Sequence, residues 1–286
     1  MNGFYNVNKP EGITSRKVVN IISAISRKTF NTKKAGHLGT LDPIATGVLP
    51  IAIGNCTRFF DFSLKKKKQY RAEFEFGIST DTLDLSGIQT KKTENIPKKH
   101  EIESKLSTFI GKIDQIPPIF SAKSIDGTRA YKLAREGKTL EMKPCEVTIY
   151  NLELISFEDK KLVLDITCSS GTYIRSLCRD LAESLDSLAI MTKLNRSMSG
   201  EFKLEYASSI EEIDADPKGL LLPVDYLVSN LKAIEFSDIQ QKQNINGQQF
   251  YLGTTDDVRV MYKGNFLGFG TDTEKGFKFK VKMWKL

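Results

Sequence analysis

Residues Gly36 to Gly47, with the sequence GHLGTLDPIATG, set a single carboxylate, Asp42, among glycines, a proline and small side chains. Glycines allow sharp turns and the close approach of another backbone, and Pro43 favours an extended conformation at the residue before it. An apolar, strand-like stretch follows the run. The run therefore predicts a stiff bend that holds Asp42 just before a strand.

The chemistry open to Asp42 follows from what the chain contains. An aspartate with its ordinary pKa of about 3.9 is an anion at neutral pH and can act as nucleophile, base or charge partner. A metal site is disfavoured, because the chain has only two histidines, His37 and His100, and its four cysteines lack zinc-like spacing. Neither a phosphate-binding G-x-x-x-x-G-K-[ST] loop nor a G-x-S-x-G elbow occurs. A structural role for Asp42, as a turn-capping side chain before proline, stays open.

Charge is concentrated near this run. The whole chain has a net charge of +7, yet residues 1 to 70 hold 12 Lys and Arg against 3 Asp and Glu, a net +9. Basic residues lie on both sides of the glycine-rich run, and they include the lysines at 65 to 68. A basic surface around a candidate site favours a polyanionic substrate, although such a run can also be a solvated face.

Length and composition place the chain in a broad class. At 286 residues and 40% hydrophobic content, it can bury one large core and a small accessory domain. No apolar run approaches the roughly 18 residues that span a bilayer, and no signal-like segment opens the chain. Four scattered cysteines fit a reducing compartment. We expect a cytoplasmic protein without membrane contact.

Two strand patterns carry further candidates. From Gln69 to Phe76 the residues alternate, with Tyr70 at the start of the apolar face, which predicts a half-buried strand. Tyr70 is either a core residue or an aromatic face for a nucleic-acid base. The stretch from Leu162 to Cys168 alternates likewise and runs into apolar residues at helical spacing, which predicts a strand followed by a capped helix. Arg175 falls in the first turn, where the helix dipole disfavours a cation, so it needs an anionic partner or lies on the surface.

Five ordered motifs in residues 5 to 200 resemble those of the TruB family, which makes pseudouridine 55 in tRNA. The motifs are Asn8 to Ser15, Gly36 to Gly47, Lys68 to Arg71 with Thr80 to Asp84, Pro117 to Ala122, and Gly171 to Arg175. The resemblance implies three catalytic residues: Asp42 as the catalytic aspartate, Tyr70, which stacks on the extruded uracil and helps to remove the C5 proton, and Arg175, which pairs with the catalytic carboxylate.

The resemblance also implies four substrate-binding residues. Tyr173 contacts the substrate, His37 holds the extruded nucleotide, and Leu194 lines the uridine site. Lys9 supports the first motif or contacts RNA. Isomerisation conserves atoms, so the implied enzyme needs no cofactor and no metal.

The resemblance implies a mixed α/β fold with a curved, mainly antiparallel central sheet. We expect a catalytic domain over residues 1–232, with a thumb-like loop at about 120–143 that closes on the tRNA T-arm stem-loop. From Ala233 to residue 286 we expect a small β-rich, PUA-like domain, with strands Val258 to Tyr262, Phe266 to Gly270 and Phe277 to Met283. Basic and aromatic residues of the thumb-like loop include Lys123, Arg129, Tyr131, Lys132, Arg135 and Lys138.

The expected enzyme acts as a monomer without a protein partner or guide RNA. Two alternatives stay open: an RNA-binding or tRNA-folding chaperone in which Asp42 is structural, and a guide-RNA-directed synthase that works in a complex.

Overall fold

The computed structural model describes residues 1–121, 123–125, 128–130, 133 and 142–283. Most of the thumb-like loop expected at 120–143 therefore lies outside the described residues, as do Tyr131, Lys132, Arg135 and Lys138. The helices are α1 (Ser15–Phe30), α2 (Phe60–Leu64), α3 (Lys99–Leu106), α4 (Ile174–Glu183), α5 (Ile210–Ala215) and α6 (Asp238–Ile245). The strands are β1 (Gly3–Lys9), β2 (Ala35–His37), β3 (Ala45–Ile53), β4 (Lys68–Phe76), β5 (Ile78–Thr80), β6 (Gln89–Lys92), β7 (Gly111–Gln115), β8 (Ser124–Ile125), β9 (Thr128–Arg129), β10 (Cys145–Glu158), β11 (Lys161–Cys168), β12 (Ala189–Ser199), β13 (Phe202–Lys203), β14 (Ala233–Glu235), β15 (Val258–Tyr262), β16 (Asn265–Thr273) and β17 (Gly276–Lys282).

A nine-stranded sheet forms the centre of the protein. Its main order is β1-β3-β12-β4-β11-β10-β7, with β2 on β3 and β13 on β12. Among the described pairs of this sheet only β3 and β12 run parallel. The mixed α/β fold with a mainly antiparallel sheet, which the family resemblance implied, is confirmed.

Strand β4 lies between β12 and β11 and shows the predicted alternation. Tyr70, Ala72, Phe74 and Phe76 are buried, and the intervening residues are more exposed. A sheet of period two that covers a core must bury every second side chain. The strand starts at Lys68, one residue before the predicted start at Gln69, because Lys68 pairs with both neighbouring strands, and its side chain lies on the buried face.

Helix α1 covers part of the core. Thr14 caps it by accepting a hydrogen bond from the Lys17 amide, and its buried side carries Val18, Val19 and Ile22. Apolar side chains at this spacing lie on one helix face and pack together against the sheet. The helix thereby covers the strands that flank the Asp42 bend.

Helix α4 follows β11 as predicted, but its start is not capped by a side chain. Tyr173 is the N-cap residue and makes no capping hydrogen bond, whereas the nearby Thr172 hydroxyl donates to the Ser169 carbonyl. The expectation of a side-chain cap is wrong, because the small polar residues stabilise the preceding turn instead.

Residues after 232 form a second sheet in the order β14-β15-β16-β17. The hairpin between β15 and β16 turns at Lys263 and Gly264, which both have positive φ, as in a type I′ turn. Phe269 of this sheet packs against Phe59 and Phe62 of the first part of the chain. No helix in the described part of the chain is both long and apolar enough to cross a bilayer.

Candidate active site

The bend between β2 and β3 is fixed from both sides of Asp42. The Ser15 hydroxyl accepts a hydrogen bond from the Leu41 amide at 2.8 Å and donates to the Leu41 carbonyl at 2.9 Å. The Lys9 ammonium donates to the Pro43 carbonyl at 3.2 Å. Since the residues before and after Asp42 are both held, its carboxylate has a defined position.

Arg175 binds Asp42 through two contacts. Its Nε lies 2.9 Å from Oδ2 of Asp42, and its Nη2 lies 3.1 Å from Oδ1. The Nη2 contact is a hydrogen bond and the Nε contact a close ion pair, so the guanidinium holds both carboxylate oxygens. Neither a surface location of Arg175 nor a turn-capping role for the Asp42 side chain describes the molecule, because Arg175 is buried and holds this carboxylate.

Two backbone carbonyls fix the guanidinium itself. Arg175 donates from Nη1 to the Thr82 carbonyl at 2.9 Å and from Nη2 to the Phe120 carbonyl at 3.1 Å. The carbonyls belong to segments on either side of α3. Arg175 thus connects helix α4, the Asp42 bend and two loops.

Asp84 is a second carboxylate beside Arg175. Its Oδ2 lies 3.7 Å from Nη1 of Arg175, and its Oδ1 accepts hydrogen bonds from the Thr82 hydroxyl at 2.7 Å and the Ser86 amide at 2.9 Å. Sequence reasoning quoted this residue in a motif but gave it no role. The local turn, with Leu83 at φ 63°, carries no sequence signal that Arg175 lies next to it.

The charge state of Asp42 reflects opposing effects. Burial raises its pKa, the Arg175 guanidinium acts in the opposite direction, and Asp84 raises the pKa further. The net effect is a raised pKa of Asp42, because burial is the largest contribution. The contacts to Arg175 favour the ionised carboxylate, the form that can attack an electrophilic carbon.

A cavity of about 410 Å³ opens above this pair. Asp42, Tyr70, Tyr173, Arg175 and Leu194 all line it, so the fold brings together five of the seven predicted site residues. The volume falls in the range of small-ligand pockets. Acidic, aromatic and apolar walls therefore face one space.

Tyr70 is a wall of this cavity and not merely a core residue. It is 7% exposed, and burial raises the pKa of its hydroxyl, while nearby Arg196 opposes the increase. The ring is therefore neutral at ordinary pH. A neutral, fixed aromatic face suits stacking on a planar ligand.

Tyr173 is held at the start of α4 by Gln115. The Tyr173 amide donates to Oε1 of Gln115 at 2.8 Å, and its carbonyl accepts from Nε2 of Gln115 at 3.1 Å. This paired contact anchors the helix start to the end of β7. Both Tyr173 and Arg175 are thereby positioned against the cavity.

Lys9 and His37 are not among the described residues that line the cavity. Lys9 is fully buried, and burial lowers its pKa to about 8. Its bonds to the carbonyls of Pro10 and Pro43 agree with the structural alternative considered for it. His37 ends β2, opposite Ile51 of β3.

Lys68 and Arg196 line the cavity and were missed by sequence reasoning. Lys68 lies two residues before Tyr70, so strand alternation could have placed both on one face. Arg196 lies directly opposite Tyr70 in the β12–β4 register. In the described part of the chain, no cluster of residues suited to a metal ion occurs.

Comparisons of the sequence and the fold with known proteins point to one family. The sequence profile described as "TruB family pseudouridylate synthase (N terminal domain)" matches residues 27–174. A protein named tRNA pseudouridine synthase B from Alkaliphilus oremlandii (strain OhILAs) is 41% identical over 281 residues, which cover 94% of this chain and 93% of that protein. A protein of the same name from Clostridium tetani (strain Massachusetts / E88) is 38% identical over 288 residues, covering 97% of this chain and 98% of that one. A chain in the crystal structure of a Cbf5-Nop10-Gar1 complex has a TM-score of 0.70 at 23% identity, over 99% of this chain and 84% of that chain, which shows a shared fold.

Proposed function

The chain belongs to the TruB family of pseudouridylate synthases, and we propose that it converts uridine 55 in the T-loop of tRNA to pseudouridine without a guide RNA. The observation that carries this proposal is the Asp42–Arg175 pair at the base of a cavity walled by Tyr70. The reaction breaks the bond between uracil N1 and ribose C1′ and forms one between C5 and C1′. N1 gains a proton and C5 loses one, so atoms and electrons balance without a cofactor.

Asp42 is the nucleophile of this proposal. Its carboxylate attacks either ribose C1′ or the uracil ring, and it leaves again when the base has turned and rejoined through C5. Arg175 favours the ionised form of the carboxylate against the effect of burial and directs it into the cavity through two contacts. A partly closed cavity also protects an intermediate from water.

A uridine inside a folded RNA loop must leave its stack to reach Asp42. Extrusion costs a few kcal/mol, which stacking and phosphate contacts offset. Tyr70 supplies the stacking face, and Leu194 supplies an apolar wall. Tyr173 supplies a contact at the start of α4. Two further residues lie outside the cavity lining. Lys9 supports the Asp42 bend, and His37 holds the extruded nucleotide.

The proposed partner is the T-arm stem-loop of tRNA, bound by a monomer in the cytoplasm. We assign residues 1–232 to the catalytic domain, with a thumb-like loop at about 120–143, and residues 233–286 to an RNA-binding, PUA-like domain. A groove of about 580 Å³ between them is lined by basic, aromatic and acidic side chains, among them Arg58, Lys65, Lys278, Lys280, Phe62, Phe279, Asp61 and Asp257. Asp257 pairs with Lys280, which leaves Arg58, Lys65 and Lys278 as an excess of positive charge. Basic and aromatic side chains on one groove suit an RNA backbone.

The first experiment measures tritium release from tRNA transcript labelled at uridine C5, with wild type and Asp42→Asn, alongside RNA binding by both. We expect release by wild type alone and equal binding by the two proteins. The asparagine keeps the size of the side chain but removes the anion. Binding without release by either protein would overturn the proposal and favour a chaperone or a guide-dependent complex.

The RNA role of the C-terminal sheet has a separate test. Lys278→Glu reverses an exposed charge in the groove, and Lys160→Glu, at the β10–β11 turn, makes the same change of net charge elsewhere. We expect Lys278→Glu to weaken tRNA affinity about tenfold more than Lys160→Glu. Equal effects of the two variants would contradict an RNA contact in this groove.

A further inference from the structure

Two buried cations face the cavity from neighbouring strands. Lys68 of β4 is 6% exposed and Arg196 of β12 is 1% exposed, and both line the cavity that contains Asp42. A β-carbon placed on Gly39 would lie 3.7 Å from both Nη1 of Arg196 and Cε of Lys68. The two side chains therefore meet at one side of the cavity, beside the Asp42 bend.

The internal partners of these cations are backbone carbonyls and, for Arg196, the Tyr70 hydroxyl. Arg196 donates to the carbonyls of Val48, Thr40 and Gly39 at 2.8, 3.3 and 3.0 Å. The Lys68 ammonium has three donors, and among the described residues it donates only to the Lys66 carbonyl, at 3.3 Å. Within the ranges that the structure describes, neither cation has a carboxylate within 4.0 Å.

An unpaired buried charge costs free energy, and here two positive charges share one wall. Burial and the nearby Arg196 guanidinium lower the pKa of Lys68 to about 8. An anion placed in the cavity would reverse this effect and satisfy the free ammonium donors. The Lys68 ammonium therefore has hydrogen-bond donors available for a negatively charged ligand, whereas Arg196 contributes its charge.

We propose that Lys68 and Arg196 form a subsite for one phosphodiester group next to the extruded uridine. This rests on the proposed function and names the part of the RNA that this wall of the cavity receives. Uracil is neutral before reaction and so cannot balance two cations, whereas a phosphodiester carries a full negative charge in both ground and transition states.

The surroundings favour the same assignment. Lys68 directly follows Lys65, Lys66 and Lys67, of which Lys65 and Lys67 are exposed. A continuous basic run thus leads from the surface to the buried ammonium, as expected for a path followed by an RNA backbone. Tyr70 and Leu194 form the adjoining wall of the cavity, which is therefore available for the base.

The test is a double-mutant cycle between Lys68 and individual phosphates. The T-arm stem-loop RNA carries a neutral methylphosphonate either 5′ or 3′ of the target uridine, and affinity is measured in the Asp42→Asn background so that the RNA is not converted. Lys68→Met keeps the length of the side chain and removes the charge. Lys67→Met is the matched control, because it removes an exposed ammonium from the same run.

We expect Lys68→Met to lower affinity for the unmodified RNA about tenfold. One of the two neutral linkages should lower affinity in the protein with Lys68 by a similar factor but add less than twofold in Lys68→Met. In Lys67→Met the same linkage should retain its full effect. The subsite would be overturned if, at both linkages, the affinity losses from Lys68→Met and from the neutral linkage simply multiplied, which would mean that they are independent. An unchanged affinity in Lys68→Met would overturn it as well.

Two further measurements keep the outcome unambiguous. Thermal unfolding checks that Lys68→Met is folded. Lys68 is preferred to Arg196 for the substitution, because the carbonyl contacts of Arg196 also hold the Asp42 bend. Single-turnover tritium release by the otherwise wild-type protein tests the proposed function separately. Release without coupling between Lys68 and a linkage would reject the subsite alone, and coupling without release would reject the isomerase activity.

Discussion

At the scale of single residues, the site depends on a carboxylate whose partner is itself fixed. Arg175 contacts Asp42 twice and also binds the carbonyls of Thr82 and Phe120. Because the guanidinium is already ordered, it positions Asp42 without loss of further side-chain freedom. Charge alone therefore does not account for the role of Arg175.

Replacement of Arg175 by lysine tests this point. Arg175→Lys keeps the positive charge but loses the planar group that contacts both oxygens of Asp42, so we expect single-turnover pseudouridine formation to fall about 100-fold while RNA affinity changes less than about threefold. Arg179→Lys on the same helix is the control, since Arg179 pairs with Asp180. An Arg175→Lys rate equal to that of the control would show that charge is sufficient.

Lys68 predicts a pH dependence of stability. Its lowered pKa of about 8 means that the unfolded chain, with a lysine pKa of about 10.4, binds more protons between these values, so stability rises with pH in that window. We expect Lys68→Met to be more stable than wild type by about 1–3 kcal/mol at pH 7, and by much less at pH 10. Urea unfolding at both pH values measures this, with Lys67→Met as control.

The same titration predicts weaker RNA binding by wild type as the pH rises through about 8, because the cation is lost. Tyr70 and Cys168, which lie near Lys68, have raised pKa values, about 11 for Cys168, and stay neutral in this range. If wild type and Lys68→Met differed by the same amount at every pH from 7 to 10, in stability and in RNA affinity, both expectations would be contradicted.

At the scale of elements, the parallel pair β3 and β12 joins the Asp42 bend to Leu194 and Arg196. Gly47 lies opposite Arg196 in this pair and has φ of 95°. A β-carbon there would lie 2.4 Å from the Arg196 carbonyl oxygen. The glycine thus permits the close strand contact that brings the two walls of the cavity together.

Two glycines of the same run should respond differently to alanine. Gly47→Ala should cost at least about 2 kcal/mol of stability and lower the reaction rate, because both the clash and the backbone conformation disfavour a side chain. At Gly36 a β-carbon would meet only Thr57 Cγ2, at 3.7 Å, so Gly36→Ala should change stability by less than about 0.5 kcal/mol. Urea unfolding and single-turnover rates compare them; equal losses would refute this account.

At the scale of the whole molecule, the C-terminal sheet is packed onto the first part of the chain. Phe269 is fully buried, with ring centroids 5.7 Å from Phe59 and 4.8 Å from Phe62. Phe59 and Phe62 also lie next to the lysine run that ends at Lys68. Removal of the C-terminal residues would expose this core, so point variants are the better probes of RNA binding.

Phe269→Ala measures the coupling between the two sheets. We expect the free energy of unfolding to fall by about 3–5 kcal/mol and hydrogen exchange to become faster in both β3 and β16. The reason is that removal of the ring leaves an empty space in a core that both sheets share. Phe277→Ala is the comparison: its ring packs against Phe236, Phe250 and Phe279 within the C-terminal part, so exchange should increase there alone. Increased exchange confined to β16 in Phe269→Ala would show that the sheets unfold independently.

The sequence by itself determined the local features of this protein. The alternation that buries Tyr70, the strand before α4, the hairpin at Lys263 and Gly264, and the bend around Asp42 all depend on rules that act over a few residues. The ordered motifs added the family, and with it the sheet architecture.

Residue spacing alone did not decide which charges meet: the family resemblance implied the Asp42–Arg175 pair, and only the tertiary structure showed the other charges beside it. Asp42 and Arg175 are 133 residues apart, and their contact depends on the strand order β3-β12-β4-β11. The same order places Asp84 beside Arg175 and buries Lys68 next to Arg196. Residue spacing fixes which side of a strand a side chain occupies, but it does not fix which strand lies alongside, and that neighbour sets the electrostatics of the site.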